Sequence, residues 1–251
     1  MAQTKVIYGF HAVLAALAHH PEHVLNLFCE DKLDSSRQKD LIAKAKNVGV
    51  DVQPITGSKL DKMSGSTHHQ GVAAQVRESE PFDSKSVVKW LKTTDKTPLL
   101  LILEGVQDPH NLGACLRSAE ALGVDWVILP KVNTAPLNAT VSKAACGADQ
   151  TLPIVFVPNI VRFITDIQET GVWVVGTSSE SNISLKQAAL KRSLALVMGS
   201  EEKGLKRLTL EACDEIAKIP LLGMVESLNV SVATGISLYE CQRQRNGVNQ
   251  K

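Results

Sequence analysis

The sequence predicts an α/β protein in two parts, the larger with a mainly parallel sheet that helices cover on both sides. Segments with strand-like and helix-like hydrophobic patterns alternate along the chain. The segment "PLLLILEGV", residues 98–106, is hydrophobic on both faces, as in a covered parallel sheet. The composition, with 44% hydrophobic and 21% charged residues among 251, is that of a globular protein with a sizeable core.

The first part, residues 1–77, is expected to be a small α/β domain. It holds six of the seven histidines, and Lys and Arg exceed Asp and Glu there by nine to seven. Gly49 stands where a glycine ends a helix. In chain order we expect strand 5–10, helix 11–20, strand 24–30, helix 35–49, strand 50–55, a short helix 59–65 and strand 71–77.

Residues 78–96 are charged and rich in hydroxyl groups, and they are expected to link the two parts. Within them, "SKSVVKWLKTT" favours a short helix with Trp90 docked against the protein.

The second part, residues 97–251, continues the alternation and predicts the parallel sheet. The expected strands are 98–106, 124–130, 152–158, 172–178, 193–200 and 215–221. The expected helices are 111–123, 138–148, 159–171, a short one at 184–190, 204–214, and a last one that begins near Val230.

Composition also bounds the class of protein. The longest apolar runs are too short to span a bilayer, and residues 1–20 suit a strand and an amphipathic helix better than a signal peptide, so we expect a cytoplasmic protein that binds no membrane. The five isolated cysteines favour buried thiols over structural zinc or disulfides, and no metal is expected. The net charge of +1 means that any RNA binding uses local patches.

The loops after three strands carry the candidate chemistry, because open α/β sheets bind ligands beyond the carboxyl ends of their strands. In "QDPHNLGACLRS", Asn111 can cap the next helix and Arg117 lies about a turn and a half further on. This is either an ordinary turn with an exposed Arg or an anion site at a helix N-terminus. Neither GxGxxG nor GxxxxGK[ST] occurs, so a dinucleotide or nucleoside-triphosphate site is poorly supported.

Two further loops complete this set. In "EEKG", which follows the strand at 193–200, Gly199 and Gly204 bracket Glu201, Glu202 and Lys203 in a tight loop, and the two acids also suit a helix N-terminus. "LGMVESLN" is an unusually long connection after the strand at 215–221. Such a loop can wrap a small ligand with backbone groups, although its Ser and Asn also suit helix capping.

Taken together, "EGVQDPHNLGACLRSAEALG", "LVMGSEEKGL" and "IPLLGMVESLNVSVATGISLYE" closely resemble the three motifs of the SPOUT RNA methyltransferases of the TrmH class. The segments "IYGFHAVLAAL" and "HQGVAA" resemble the substrate-binding domain, similar to ribosomal protein L30e, that many members carry. This resemblance implies S-adenosylmethionine as cofactor and transfer of its methyl group to a ribose 2′-hydroxyl. The whole pattern is most similar to the members that methylate a guanosine of bacterial 23S rRNA, in the P loop of the peptidyl transferase centre.

The resemblance also implies a fold, an assembly and residue roles. The C-terminal segment would thread into a deep trefoil knot, and two copies would form a homodimer through the knot with the active site near the interface. The implied catalytic residues are Asn111, Arg117, Glu201, Ser227 and Asn229. The implied cofactor-binding residues are Thr177, Gly199, Ile219 and Leu228.

Arg117 would act on the ribose hydroxyl, but an arginine is normally a permanent cation and therefore a poor base. Its conservative role is to orient the substrate phosphate and to stabilise the developing alkoxide. Two alternatives remain open: the same chemistry on tRNA, or a catalytically silent, knotted RNA-binding protein. The substrate is naked 23S rRNA or a ribosome assembly intermediate.

Overall fold

The computed structural model describes residues 4–19, 21–31, 35–77, 82–201 and 203–246. Their contacts divide the chain into two compact units, Met1–Glu80 with Leu137–Thr151, and Pro81–Pro136 with Leu152–Lys251. The units differ from the expected ranges because residues 137–151 join the first unit. The functional division into 1–77, 78–96 and 97–251 stays a prediction, and residues 78–81 lie outside the described part. No helix in the described ranges is long and apolar enough to cross a bilayer.

The α/β alternation expected from the sequence is confirmed. The elements up to residue 77 are β1 (Thr4–Tyr8), α1 (Phe10–His19), a 3₁₀ turn (Pro21–His23), β2 (Val24–Glu30), α2 (Ser36–Asn47), β3 (Asp51–Ile55), α3 (Gly57–Ser64) and β4 (Val72–Arg77). Those from residue 82 on are α4 (Ser84–Thr93), β5 (Leu99–Leu103), α5 (Pro109–Ala121), β6 (Trp126–Pro130), α6 (Ala139–Ala144), α7 (Ala148–Thr151), β7 (Ile154–Val157), α8 (Ile160–Gln168), β8 (Trp173–Thr177), β9 (Leu194–Met198), α9 (Arg207–Ala212), β10 (Glu215–Ala217) and α10 (Val230–Asn246).

Each unit is built on its own sheet. The first unit has a mixed sheet in the order β1-β4-β2-β3, in which β2 and β3 are parallel. The second unit has a sheet in the order β10-β8-β9-β5-β6-β7, and all of its pairs are parallel. Every residue of β5, β6 and β9 is buried, which explains their unbroken hydrophobic runs.

The candidate helix in the linker is confirmed as α4. Asp83 caps it, since its Oδ1 accepts a hydrogen bond of 2.8 Å from the Ser86 N–H. Trp90 is docked as expected, with its ring centroid 6.0 Å from that of Trp126 in an edge-to-face arrangement. This helix therefore belongs to the core of the second unit rather than to a free linker.

The prediction of a short helix at 184–190 is wrong. Residues 183–185 instead pair with the chain just after β10: Leu185 N–H donates to the Lys218 carbonyl, and Lys218 N–H donates to the Ile183 carbonyl, both at 2.8 Å. One local turn remains, in which the Gln187 and Ala188 N–H groups donate to the Ser184 carbonyl at 2.8 and 3.2 Å. The pairing with a distant segment limits the expected helix to this turn, so tertiary context overrides local propensity.

The helix expected at 138–148 is divided into α6 and α7. The break lies at Cys146 and Gly147, which have φ of 53° and 89°. A Cβ on Gly147 would crowd the backbone of α1 at His11 and Ala12 and the Ala15 side chain. Close packing of this segment on α1 accounts for its place in the first unit.

The last helix, α10, begins at Val230 as expected and packs on α5. The Cys115 thiol of α5 donates to Thr234 Oγ1 of α10 at 3.5 Å, and burial raises the pKa of Cys115 to about 11. At the far end, the Arg245 guanidinium donates to backbone carbonyls of Thr97, Pro98, Leu190 and Arg192. The chain thus returns from β10, at one edge of the sheet, to the helix that follows central strand β5.

Candidate active site

The first motif loop joins β5 to α5. Asp108 caps this helix, because its Oδ1 accepts a hydrogen bond of 2.8 Å from the Asn111 N–H, and Pro109 takes the first helical position. The expectation that Asn111 caps α5 is therefore wrong. Because Asp108 caps the helix, the Asn111 side-chain amide is available for hydrogen bonds to the other motif loops.

A chain of hydrogen bonds joins all three motif loops. Asn111 Nδ2 donates to Glu201 Oε2 at 3.2 Å, and Asn229 Nδ2 donates to Asn111 Oδ1 at 2.9 Å. Asn229 Oδ1 accepts from the Ser231 N–H at 2.9 Å and from Ser231 Oγ at 2.6 Å. Each of the two Asn side chains donates through its amide nitrogen and accepts through its amide oxygen, so the side chains hold one another in fixed orientations. Residues 90 and 118 positions apart in sequence meet here.

Asn229 also caps α10. The bond from the Ser231 N–H satisfies one of the free donors at the start of that helix, as a cap should. The capping role suggested by the sequence and the role in the site thus coincide in one side chain. A substitution that removes the side-chain amide, such as Asn229→Ala, changes both.

Glu104, which the sequence reasoning missed, holds the second motif loop. Its side chain is buried at the end of β5. Oε2 accepts from the Lys206 N–H and Oε1 from Thr209 Oγ1, both at 3.0 Å, and the Lys206 ammonium lies 3.6 Å from Oε1. An acid directly after five consecutive apolar residues was the signal that could have identified it, since a buried carboxylate requires partners.

Gly199 has a packing reason as well as a place in the motif. A Cβ at this position would overlap the backbone of Gly204 and Leu205. Ser200 and Gly204 close this loop through two mutual backbone bonds of 2.9 and 3.1 Å. The loop that carries Glu201 is therefore tight, and glycine is the only residue that fits at its entrance.

Three of the four candidate cofactor residues lie at the carboxyl ends of neighbouring strands. Thr177 is the last residue of β8, Gly199 follows β9, and Ile219 lies two residues after β10. Thr177 Oγ1 donates to the Val197 carbonyl at 3.1 Å. Ile219 and Leu228 are half-buried. Apolar side chains suit a purine and a thioether, so these residue types fit S-adenosylmethionine.

Two candidate catalytic residues stand outside the hydrogen-bonded chain. Arg117 is exposed on α5, and Ser227 is exposed in the loop before α10. Within the described ranges, neither side chain has a hydrogen bond or ion pair. Their predicted roles stay predictions, and the exposed guanidinium is free to bind an anion from solvent.

A cavity of about 540 Å³ opens beside the chain of hydrogen bonds. Asn111 and Glu201 of the hydrogen-bonded chain lie in its wall, together with Val230. Its other lining residues are Glu104, Gly105, Val106, Gln107, Asp108, Asn133, Ser200, Lys203, Gly204 and Lys206. The described residues hold no cluster of three or more His, Cys, Asp or Glu arranged for a metal ion.

Comparison with known proteins matches both parts of the chain. Residues 98–239 match the SpoU rRNA Methylase family, and residues 6–82 match the family described as RNA 2′-O ribose methyltransferase substrate binding. The chain is 47% identical over 245 residues to the 23S rRNA (guanosine-2′-O-)-methyltransferase RlmB of Shewanella oneidensis, covering 98% of this chain and 99% of that protein.

A second relative and a solved structure are also rRNA methyltransferases. A protein of the same name from Pectobacterium atrosepticum is 45% identical over 244 residues, covering 97% of this chain and 100% of its own. Among solved structures, the AdoMet-bound rRNA methyltransferase from Sinorhizobium meliloti superposes with a TM-score of 0.76 at 25% identity, covering 96% of this chain and 87% of that one.

Proposed function

The chain belongs to the SpoU rRNA methylase family, and we propose that it transfers a methyl group from S-adenosylmethionine to the 2′-hydroxyl of a guanosine in 23S rRNA. The observation that carries this proposal is the hydrogen-bonded chain from Ser231 through Asn229 and Asn111 to Glu201. It brings the three motif loops to one point, and Asn111 and Glu201 of this chain line the cavity. We further propose the P loop of the peptidyl transferase centre as target, by resemblance alone.

The protein side of the reaction is positioning and charge stabilisation. S-adenosylmethionine supplies an electrophilic methyl group on a sulfur that leaves readily. We propose that the Asn111–Asn229 pair, with Glu201, fixes the loops so that a ribose hydroxyl lies in line with that methyl group. Arg117 binds the adjacent phosphate and stabilises negative charge as it develops on the ribose oxygen. Ser227 shapes the same loop.

The cofactor rim is assigned to Thr177, Gly199, Ile219 and Leu228. The half-buried Ile219 and Leu228 would face the adenine ring, while backbone groups near Gly199 hold its polar edge. No residue larger than glycine fits at position 199, because the backbone of Gly204 and Leu205 lies too close to it.

The return of the chain from edge strand β10 to α5 supports our proposal that residues 218–246 form the trefoil knot. Residues 6–82, which match the substrate-binding family, would hold the RNA. The substrate is then 23S rRNA, free or within a ribosome assembly intermediate.

This function is tested by calorimetry with S-adenosylmethionine and by transfer of labelled methyl to purified 23S rRNA and to tRNA. We expect saturable cofactor binding and label in rRNA but not in tRNA. Cofactor binding with label only in tRNA would support the tRNA alternative. Absence of cofactor binding would support a silent RNA-binding protein.

We also propose that the protein is a homodimer through an apolar surface formed by Val232, Ile236 and Tyr239 of α10. These side chains are 50%, 41% and 59% exposed. In the preceding loop, Leu222 and Met224 are fully exposed. Large apolar side chains grouped on a surface in this way mark an interaction site.

We expect Ile236→Asp to convert the dimer to a monomer and to reduce methyl transfer, because a buried unpaired carboxylate strongly disfavours an interface. Light scattering after gel filtration measures the mass. Leu208→Asp is the matched control, since Leu208 is 56% exposed on α9 outside this surface. A wild-type protein that is monomeric at micromolar concentration and fully active would refute the dimer.

A further inference from the structure

The cavity lies beyond the ends of β9, β5 and β6, whereas the proposed cofactor residues Thr177, Gly199 and Ile219 lie at the ends of β8, β9 and β10. The two sets of strand ends share the loop after β9. Asn111 and Glu201, which are hydrogen-bonded to each other, line the cavity. A molecule in the cavity would therefore contact the hydrogen-bonded chain that joins the motif loops.

The walls of this cavity are fixed by bonds within the second unit. The Val106 carbonyl accepts from the Ala135 N–H at 2.9 Å and from Thr134 Oγ1 at 3.4 Å, which ties the loop after β5 to the loop after β6. Glu104 fixes the opposite wall through the Lys206 N–H. A site with walls held in this way loses little freedom when it binds a ligand.

Two amide side chains in the lining are unused. Gln107 and Asn133 line the cavity from the loops after β5 and β6, and neither side chain has a hydrogen bond to another described residue. Asn133 is held at a φ of 58°, a conformation that few residue types adopt. Lys203 adds a positive charge to the lining, and Val106 and Val230 add apolar surface.

We propose that this cavity binds the flipped-out base of the nucleotide to be methylated, and that Gln107 and Asn133 recognise the hydrogen-bonding edge of guanine. This inference rests on the function proposed above. Guanine presents the O6 acceptor beside the N1–H and N2–H donors, and an amide offers both a donor and an acceptor. The volume of about 540 Å³ is within the usual range for a small-molecule site. Lys203 would contact a neighbouring phosphate.

The test compares two rRNA fragments that differ only at the target, which is guanosine or inosine; inosine lacks the N2 amino group. Single-turnover transfer is measured at saturating S-adenosylmethionine for wild type, Gln107→Ala and Asn133→Gly. Glycine is chosen because it accepts the φ of Asn133 without strain. We expect wild type to prefer guanosine by about 5- to 100-fold, and each variant to lose most of that preference.

Asn182→Ala is the control, because Asn182 is an exposed amide of the same unit outside the cavity. It should keep the wild-type preference. Variants that keep the guanosine-to-inosine ratio, or a wild type that shows no preference, would overturn the base site while leaving the methyltransferase function intact. A wild type that transfers methyl to neither fragment would overturn both.

Discussion

Replacement of Arg117 by alanine is expected to slow methyl transfer about 10²- to 10³-fold and to leave affinity for S-adenosylmethionine nearly unchanged. The guanidinium is exposed on α5 and unpaired within the described ranges, so it is available to the RNA. Removing it deletes a charge that acts on the developing alkoxide. Calorimetry measures cofactor affinity, and single-turnover transfer measures the chemistry.

Two further variants make this expectation specific. Arg117→Lys should rescue little, because lysine keeps the charge but not the planar, forked donor geometry. Arg162→Ala removes another exposed arginine, on α8, and should transfer at the wild-type rate. If Arg117→Ala lost cofactor binding but transferred normally at saturating cofactor, the role of Arg117 would be assigned wrongly.

Substitution of Asn229 should damage turnover through a different route. Asn229→Ala loses both the donor to Asn111 and the cap of α10, and the lost cap alone costs about 1 kcal/mol of stability. It leaves Asn111 Oδ1 without its partner, so the loop that carries Leu228 loses its position. We expect transfer to fall by at least tenfold, with some loss of cofactor affinity.

Asn229→Asp separates these two effects. A carboxylate still accepts from the Ser231 N–H and suits a helix N-terminus, but it cannot donate to Asn111. Thermal unfolding should therefore stay near wild type for Asn229→Asp while transfer falls as in Asn229→Ala. Wild-type turnover in the aspartate variant would show that capping, and not the bond to Asn111, is what the site requires.

The sequence predicted the elements of the central sheet well because their burial leaves a local signal. Strands β5, β6 and β9 are buried on both faces and appear as unbroken apolar runs. Asp108, Asn138 and Asn159 cap their helices in the usual way, although the sequence pattern had suggested Asn111 rather than Asp108 as the cap of α5.

What the sequence could not predict depends on partners far along the chain. The helix expected at 184–190 is reduced to a single turn beside the segment that pairs with Lys218, and residues 137–151 join the first unit through close packing at Gly147. The bond between Asn229 and Asn111 spans 118 residues. The motif resemblance predicted that Asn111, Glu201 and Asn229 belong to one site. Only the folded chain shows which of these side chains are hydrogen-bonded to each other.

The central claim is that this site methylates a ribose hydroxyl of a guanosine in 23S rRNA. It is tested most directly by mass spectrometric mapping of 23S rRNA from a strain without the gene, complemented with wild type or with Arg117→Ala. We predict that one 2′-O-methylguanosine disappears from the deletion strain, returns with wild type and does not return with Arg117→Ala. An unchanged set of 2′-O-methylguanosines in the deletion strain, or full restoration by Arg117→Ala, would contradict the account.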